Sequence, residues 1–353
     1  MERKMGHFGL ADLYAERRYR RHPHFLDAVE QVLDWSRIER KLKKKLRRSD
    51  ENCAGVKSYP ALCMFKILLL QSWYDLSDQA MEDALCDRYS FSRFVGISLD
   101  EDVPDHTTIC RFRNLLAEKK LLQKLLNEVN VQLAAQGKLV KSGCVVDATL
   151  ISSAARPRKQ VDVEMVAVGH EEDAGSECKV TVSYSKDAEA AWTRKGSCYY
   201  YGYKGHMAVD SGDGFILTGH VTPANCSDTT EMKRLVRTAR LPRNSRVYAD
   251  KGFCSQSNRD ELRKRKLKNG IMDKATRGHK LSAWQKQRNR LISAVRGVVE
   301  RGFGTLKRCY GLHRTRYLGV LKVEAAFLLA ALAFNLKKAV YLPIKKPAVL
   351  SSA

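Results

Sequence analysis

Three carboxylates and the basic residues around them are the part of this chain best suited to chemistry. Asp147 interrupts the apolar run Cys144-Val-Val-Asp147-Ala-Thr-Leu-Ile151, and Asp250 closes Ser245-Arg-Val-Tyr-Ala-Asp250. Each acid therefore ends or breaks a predicted strand. Glu300 lies in a different setting, the helical stretch Ser293–Lys307. At roughly 100° per residue, Arg296, Glu300, Phe303 and Lys307 fall within about 60° of one another, so one carboxylate stands between two cations. As a surface i, i+4 ion pair this would add only a few tenths of a kcal/mol, and Arg before Glu is the poorer order. Each strand-end acid taken alone reads as a cap or turn residue. Three acids together suit a hard divalent ion, because Mg²⁺ prefers carboxylate oxygens. Two such ions about 4 Å apart can stabilise a five-coordinate phosphorus and activate water or a 3′-hydroxyl for in-line attack. Without ions, three converging acids would repel and raise one another's pKa values.

The elements that must position these acids follow from the change in periodicity after Gly137. Strands are predicted at Cys144–Ile151, Tyr199–Asp210, Phe215–Thr222, Ser245–Asp250 and Asn269–Asp273, with Gly212-Asp-Gly marking a hairpin. Lys204 and His206, two apart on the second strand, share a face and are candidate DNA contacts. Ser227 or Asp228 is placed to cap a helix reaching Arg240, and Asp228-Thr-Thr-Glu231 has the form of a capping box. A basic helix is expected over Ser257–Lys268 and a long one over Trp284–Arg308. The order β-β-β-α-β-α-β-α gives three antiparallel strands and then two parallel ones with helical crossovers. This is a ribonuclease-H-like layout, in which the ends of the first and fourth strands are neighbours and the last helix can carry a third acid over them. The expected fold class is thus α/β (α+β): a mixed five-stranded sheet flanked by helices, preceded by an all-helical N-terminal DNA-binding domain.

Length and charge agree with that division. The chain has 353 residues, enough for about two domains. Lys and Arg total 63 against 39 Asp and Glu, a net charge of +24. That balance points to a polyanion, most simply nucleic acid. Mean hydropathy is −0.39, and the longest apolar run, Ala325–Phe334, is too short to span a bilayer. With no signal peptide in evidence, the expected location is cytoplasmic, on the nucleoid, with no membrane partner. Ten cysteines form no Cys-x-x-Cys pair, which fits reduced thiols and argues against a zinc site.

Residues 1–50 read as a basic helical region, with eight cations between Arg37 and Arg48. Residues 51–138 read as a helical block. There Pro104-Asp-His-Thr-Thr opens a helix that shows Arg111, Arg113 and Asn114 beside Ile109, Phe112 and Leu115. Short helices with an Arg-bearing third helix fit a helix-turn-helix variant, so Arg111 and Arg113 are candidate DNA contacts, with plain packing the alternative. Lys119–Gln136 is expected as one amphipathic helix. Residues 139–341 form the expected catalytic domain. Residues 152–198, containing Glu164, Glu171-Glu-Asp and Trp192, read as a long loop or insertion between its first two strands, and 342–353 as a flexible tail.

These residues resemble a known family, the DDE transposases of bacterial insertion sequences, and within it the insertion-sequence-five group. The family signature at the third acid is Tyr-x-x-Arg-x-x-x-Glu-x-x-x-x-x-x-Lys. Arg296, Glu300 and Lys307 stand in register with it, and Ser293 replaces the tyrosine. Val145-Val-Asp147-Ala-Thr and Tyr248-Ala-Asp250-Lys251-Gly-Phe resemble the blocks around the first two acids, and Tyr203-Lys-Gly-His206 and Ala224-Asn-Cys-Ser-Asp228 the blocks between them. The resemblance implies a catalytic and metal-binding triad of Asp147, Asp250 and Glu300 with Mg²⁺ (or Mn²⁺), two ions, as cofactor. It implies double-stranded DNA as partner, in the form of terminal inverted repeats and target, and a homodimer or higher assembly. Arg296, Lys307, Lys204, His206, Arg111, Arg113 and Lys251 are the expected DNA contacts. The expected activity is cleavage at the element ends and joining of the 3′-hydroxyls to target DNA. The alternatives are a DNA-binding protein derived from a transposase and a metal-dependent nuclease without strand transfer.

Overall fold

The computed structural model describes residues 9–21, 24–46, 58–155, 157, 160–168, 175–183 and 185–342, with the backbone alone for 160–168 and 175–183. Arg47 and Arg48 of the basic run, the acidic patch Glu171-Glu-Asp and the tail from 343 lie outside these residues.

The N-terminal part is helical throughout: α1 (Leu10–Tyr19), α2 (Phe25–Val32), α3 (Trp35–Leu46), α4 (Ala61–Tyr74), α5 (Asp78–Asp87), α6 (Tyr89–Val95), α7 (His106–Glu118) and α8 (Leu122–Ala135). The caps are local. Ser77 Oγ accepts from the Ala80 N–H at 3.1 Å to start α5, and Asp105 accepts from the Thr108 N–H at 2.6 Å to start α7. Gly96, at φ +84°, ends α6. The single helix expected over Lys119–Gln136 is instead interrupted: Lys120 takes φ +50°, and α8 begins only at Leu122.

The remainder is mixed α/β. The strands are β1 (Gly143–Ser152), β2 (Gln160–Val168), β3 (Gly175–Ser183), β4 (Ala191–Lys195), β5 (Cys198–Asp210), β6 (Ile216–Pro223), β7 (Arg246–Ala249) and β8 (Lys268–Ile271). The helices are α9 (Asp228–Ala239), α10 (Gln256–Lys264), α11 (Ala283–Cys309) and α12 (Val320–Tyr341). The main sheet runs β6-β5-β1-β7-β8. β5 runs antiparallel to both β6 and β1, while β7 and β8 run parallel to β1. This is the order anticipated from the sequence, with one correction. The sheet has six strands, because β4 pairs with the opening residues of β5. The segment expected as a loop or insertion therefore holds a separate two-stranded hairpin, β2-β3, and an added strand.

One helix ties the halves together. α12 packs against β6 on one side and against α2, α4, α7 and α8 on the other. Ring atoms of its Phe327 would lie 2.4 Å from a Cβ at Gly219 and 2.9 Å from one at Gly205, so both strands need glycine there. Fully buried Asn335 donates to the Ile216 carbonyl at 2.8 Å and accepts from the Ile216 N–H at 2.9 Å. The Trp73 indole donates to the Ala333 carbonyl at 2.8 Å. The hydrophobic core consequently runs without a break from Leu26 to Ala339.

Candidate active site

β1 enters the core through Cys144, Val145 and Val146, none of them exposed. Its partner β7 ends at Ala249, paired with Val146. The next residue on each strand is an acid. Asp147, in the middle of β1 and just past its pairing with β7, therefore stands beside Asp250, which follows the carboxyl end of β7. Asp250 accepts from the Gly252 N–H and caps the short 3₁₀ turn Lys251–Phe253. A Cβ at Gly252 would lie 2.9 Å from Asp250 Oδ1, so only glycine leaves room for that carboxylate.

α11 closes one wall. Ser282 and Gln285 form its capping box, and Ile292, Val299, Gly302, Phe303 and Leu306 bury its inner stripe. Close approach at Gly302, where a Cβ would meet Met207 Cε at 3.2 Å, brings the stripe down on the sheet. Arg296 then reaches Asp147, Nη2 to Oδ2 at 3.0 Å. Burial raises the Asp147 carboxyl above the ordinary range; Arg296 and the Ala148 N–H oppose this and the charge of Asp250 adds to it. Arg296 Nε is buried without a hydrogen-bond partner.

Glu300 stands one turn beyond Arg296 on the same helix, with its side chain exposed. The structure thus brings two of the three expected acids together and leaves the third turned to solvent. Among the described residues, no three acidic, histidine or cysteine side chains converge closely enough to hold an ion as they stand. The physical reason is that Arg296, and not an acid, covers the Asp147 carboxylate. Neighbouring Asp147 and Asp250 still fit a hard divalent cation, since both offer carboxylate oxygens beside the end of the β1–β7 ladder and their mutual repulsion lacks full compensation.

The other wall is α9. Of the two residues expected as its cap, Ser227 occupies the cap position, with no side-chain bond. Asp228 instead lies 3.0 Å from Lys204 Nζ, and Lys204 also donates to the Cys226 carbonyl at 2.7 Å. Asp228 Oδ2 would be 3.8 Å from a Cβ at Gly252, so this acid borders the Asp250 turn. Thr229 Oγ1 donates to the Gly252 carbonyl at 2.7 Å. Asn258 donates to the Thr229 and Phe253 carbonyls, each at 2.9 Å. Asn258 escaped the sequence reading because its partners are backbone carbonyls, which leave no pattern in residue types. Asp228 was visible as a cap candidate and within the block that resembles the family, neither of which placed it beside the Asp250 turn.

Two expected contacts, His206 and Arg113, are buried, and a third, Lys204, is paired with Asp228. Lys204 and His206 do share a face, but it is the α9 face. They lie opposite Leu150 and Ala148, whereas Asp147 lies opposite Met207. His206 has no exposed surface. It stacks on His220 with centroids 5.0 Å apart and meets Thr222 Oγ1 at 2.9 Å, so DNA cannot reach it. Burial and nearby cations push both histidines down to about 3, so they are neutral. The His220 Nε2–H then donates to Glu231 at 2.8 Å, and Glu231 serves this pair in place of a capping box. Arg113 is also buried. It donates to both Asp78 oxygens and lies 4.7 Å from the Tyr317 ring, so it is a packed ion pair and no DNA contact.

Arg111 and Lys251 are exposed. Lys307 is half-buried, and burial together with Lys195 lowers its pKa.

Comparison with known proteins gives two family matches along the chain. Residues 138–336 match the transposase DDE domain family, and residues 14–115 match a second family described as a transposase domain (DUF772). Over 231 residues the chain is 38% identical to the transposase for insertion sequence element IS1106 of Neisseria meningitidis serogroup B, covering 65% of this chain and 76% of that protein. Among solved structures, the piggyBac transposase synaptic complex with hairpin DNA covers 88% of this chain and 72% of that chain at 12% identity and a TM-score of 0.41. The Mos1 transposase paired-end complex with left transposon end covers 78% and 86% at 8% identity and a TM-score of 0.21. These structural likenesses are too distant to bear on the site. The insertion-sequence-five group, the finer placement expected from the sequence, is named by neither family match nor relative. With its first family match spanning more than half its length, the chain belongs to the DDE transposases of bacterial insertion sequences, and it is a DNA transposase.

Proposed function

We propose that this transposase binds the terminal inverted repeats of its element, cuts the phosphodiester at each end and joins the freed 3′-hydroxyls to target DNA. The observation that carries the reading is that Asp147 and Asp250 each follow the last pair of the β1–β7 ladder, close enough for their charges to interact, in a chain of charge +24. Asp147 and Asp250, joined by Glu300 from α11, would hold Mg²⁺ or Mn²⁺, two ions in all. When bound, such ions neutralise charge on the five-coordinate phosphorus and lower the pKa of an attacking water or hydroxyl.

The protein's own groups do the rest. Hydrolysis forms a bond from a water oxygen to phosphorus and breaks the bond to the 3′ oxygen, which leaves as the 3′-hydroxyl. In joining, that hydroxyl attacks a target phosphorus and displaces the target's own 3′ oxygen. Arg296 exchanges Asp147 for a DNA phosphate, which frees the carboxylate as substrate arrives. Lys204, fixed by Asp228 and the Cys226 carbonyl, supplies a cation on the α9 side of the crevice. Exposed Lys251 follows Asp250 directly, and Lys307 lies three turns along α11 from Arg296. Arg111 is the exposed arginine of α7 and contacts the inverted repeat. Two ends brought together call for at least a dimer on DNA.

Incubation of the protein with labelled element ends, a plasmid and Mg²⁺ tests the reading. Products joined to plasmid are expected. Cut ends that never join would establish a nuclease, and binding without cutting would establish a DNA-binding derivative.

A further inference from the structure

β4 and the start of β5 form a hairpin that projects from the sheet, turning at Gly196 with φ +64°. Its surface is aromatic. Trp192 is 54% exposed, Tyr199 66% and Tyr200 36%. Cross-strand register places Trp192 opposite Tyr201 and Arg194 opposite Tyr199, so these four side chains share one face. The Trp192 and Tyr201 rings lie 5.3 Å apart, and the Arg194 guanidinium lies 5.6 Å from the Tyr199 ring. Tyr201 is anchored, its hydroxyl donating to the Asp187 carbonyl at 2.7 Å. The hairpin thus presents a fixed ladder of rings.

The charge around this ladder says what covers it. Residues 191–202 contain Arg194 and Lys195 and no acid. Lys195 is close enough to Lys307 for the two charges to repel. Lys307 follows Arg296 by eleven residues on α11, about 16 Å along the helix axis. Rings flanked by cations suit a polyanion that carries flat faces of its own. In a duplex those faces are already stacked on one another; in unpaired DNA they are free.

We infer that the Trp192–Tyr199 hairpin is a stacking site for unpaired nucleotides of the DNA strand leaving the catalytic crevice. This rests on the proposed action on DNA and adds the strand form that the hairpin holds. Stacking of this kind tolerates any base, so the site grips an opened strand without reading its sequence.

The test uses the full-length protein without divalent ions, with a fluorescent 15-nucleotide oligothymidylate and a blunt 15-base-pair duplex as probes. Trp192→Ala and Tyr199→Ala are each expected to weaken oligothymidylate binding about fivefold or more. Duplex binding is expected to change less than about twofold, and Trp192→Phe to retain most of the single-strand affinity, because a ring remains. Equal losses on both probes, or unchanged oligothymidylate binding, would overturn the inference. So would a fall in the protein's size in solution on Trp192→Ala, which would make the hairpin a contact between copies. Because no cleavage is measured, failure of the catalytic reading alone would leave these results standing.

Discussion

Two arginine–aspartate pairs, built from the same groups, show how differently one chain uses them. Arg113 and Asp78 sit in the helical part, where Arg113 donates to both carboxylate oxygens, also meets Gln71 at 3.4 Å and lies over Tyr317. Arg296 and Asp147 sit at the end of the sheet. Only one guanidinium nitrogen reaches the acid, Nε has no partner, and a second carboxylate stands alongside. The first pair is saturated, as a buried ion pair must be to repay its desolvation. The second is under-satisfied on both sides. Under-satisfied charge beside a second carboxylate marks a site that gains its partners from substrate and cofactor.

The comparison is broken most severely through the acids. Asp147→Asn or Asp250→Asn should lower end cleavage by at least about a thousandfold. The melting temperature should not fall, because each change removes one of two repelling charges; gel-based cleavage and a thermal melt on the same preparations check both. The two arginines then separate. Arg113→Ala strands Asp78 and should cost about 3–5 kcal/mol, read by denaturant unfolding. Arg296→Ala removes one hydrogen bond to Asp147 and a weak one to Met272 Sδ, and should cost under about 1.5 kcal/mol while weakening end binding. A similar cost for both would erase the distinction.

A smaller effect concerns the opposite face. His206 and His220 are neutral with folded values of about 3, below the ordinary 6.5. A depressed folded value means that the unfolded chain takes up protons first. Their contribution is therefore complete above about pH 6.5 and is lost as pH falls toward 3, amounting to about 2 kcal/mol per histidine by pH 5. Unfolding measured between pH 7 and 5 should be steeper in the natural chain than in His206→Gln. The smallest expected change is Arg111→Ala. It should alter stability by less than about 0.5 kcal/mol yet reduce affinity for the inverted repeat more than for random duplex.

What could be read in advance follows the range of each signal. Asp147 and Asp250 were legible because an acid ending an apolar run is a local contradiction, and strand order alone makes them neighbours. α12 was not, since a helix apolar on nearly every side shows no period; Ala325–Phe334 registered only as too short for a membrane. Arg111 and Arg113 look alike in sequence, and what separates them is Asp78, 35 residues away. The shared face of Lys204 and His206 came from their spacing of two, but which side of the sheet that face takes depends on the register with β1. Arg296 taking Asp147 needed the helix placed over the sheet, which residue types do not provide.

The central claim is that Asp147, Asp250 and Glu300 bind divalent ions directly in the act of cutting DNA. It is tested most directly by replacing each in turn with cysteine and assaying cleavage of labelled element ends in Mg²⁺ and in Mn²⁺. A thiolate is a poor ligand for hard Mg²⁺ and a better one for Mn²⁺. Each variant should be inactive in Mg²⁺ and partly restored in Mn²⁺. Cleavage in Mg²⁺ at the rate of the natural chain, for any of the three, would contradict the role assigned to that residue, and for all three would contradict the account.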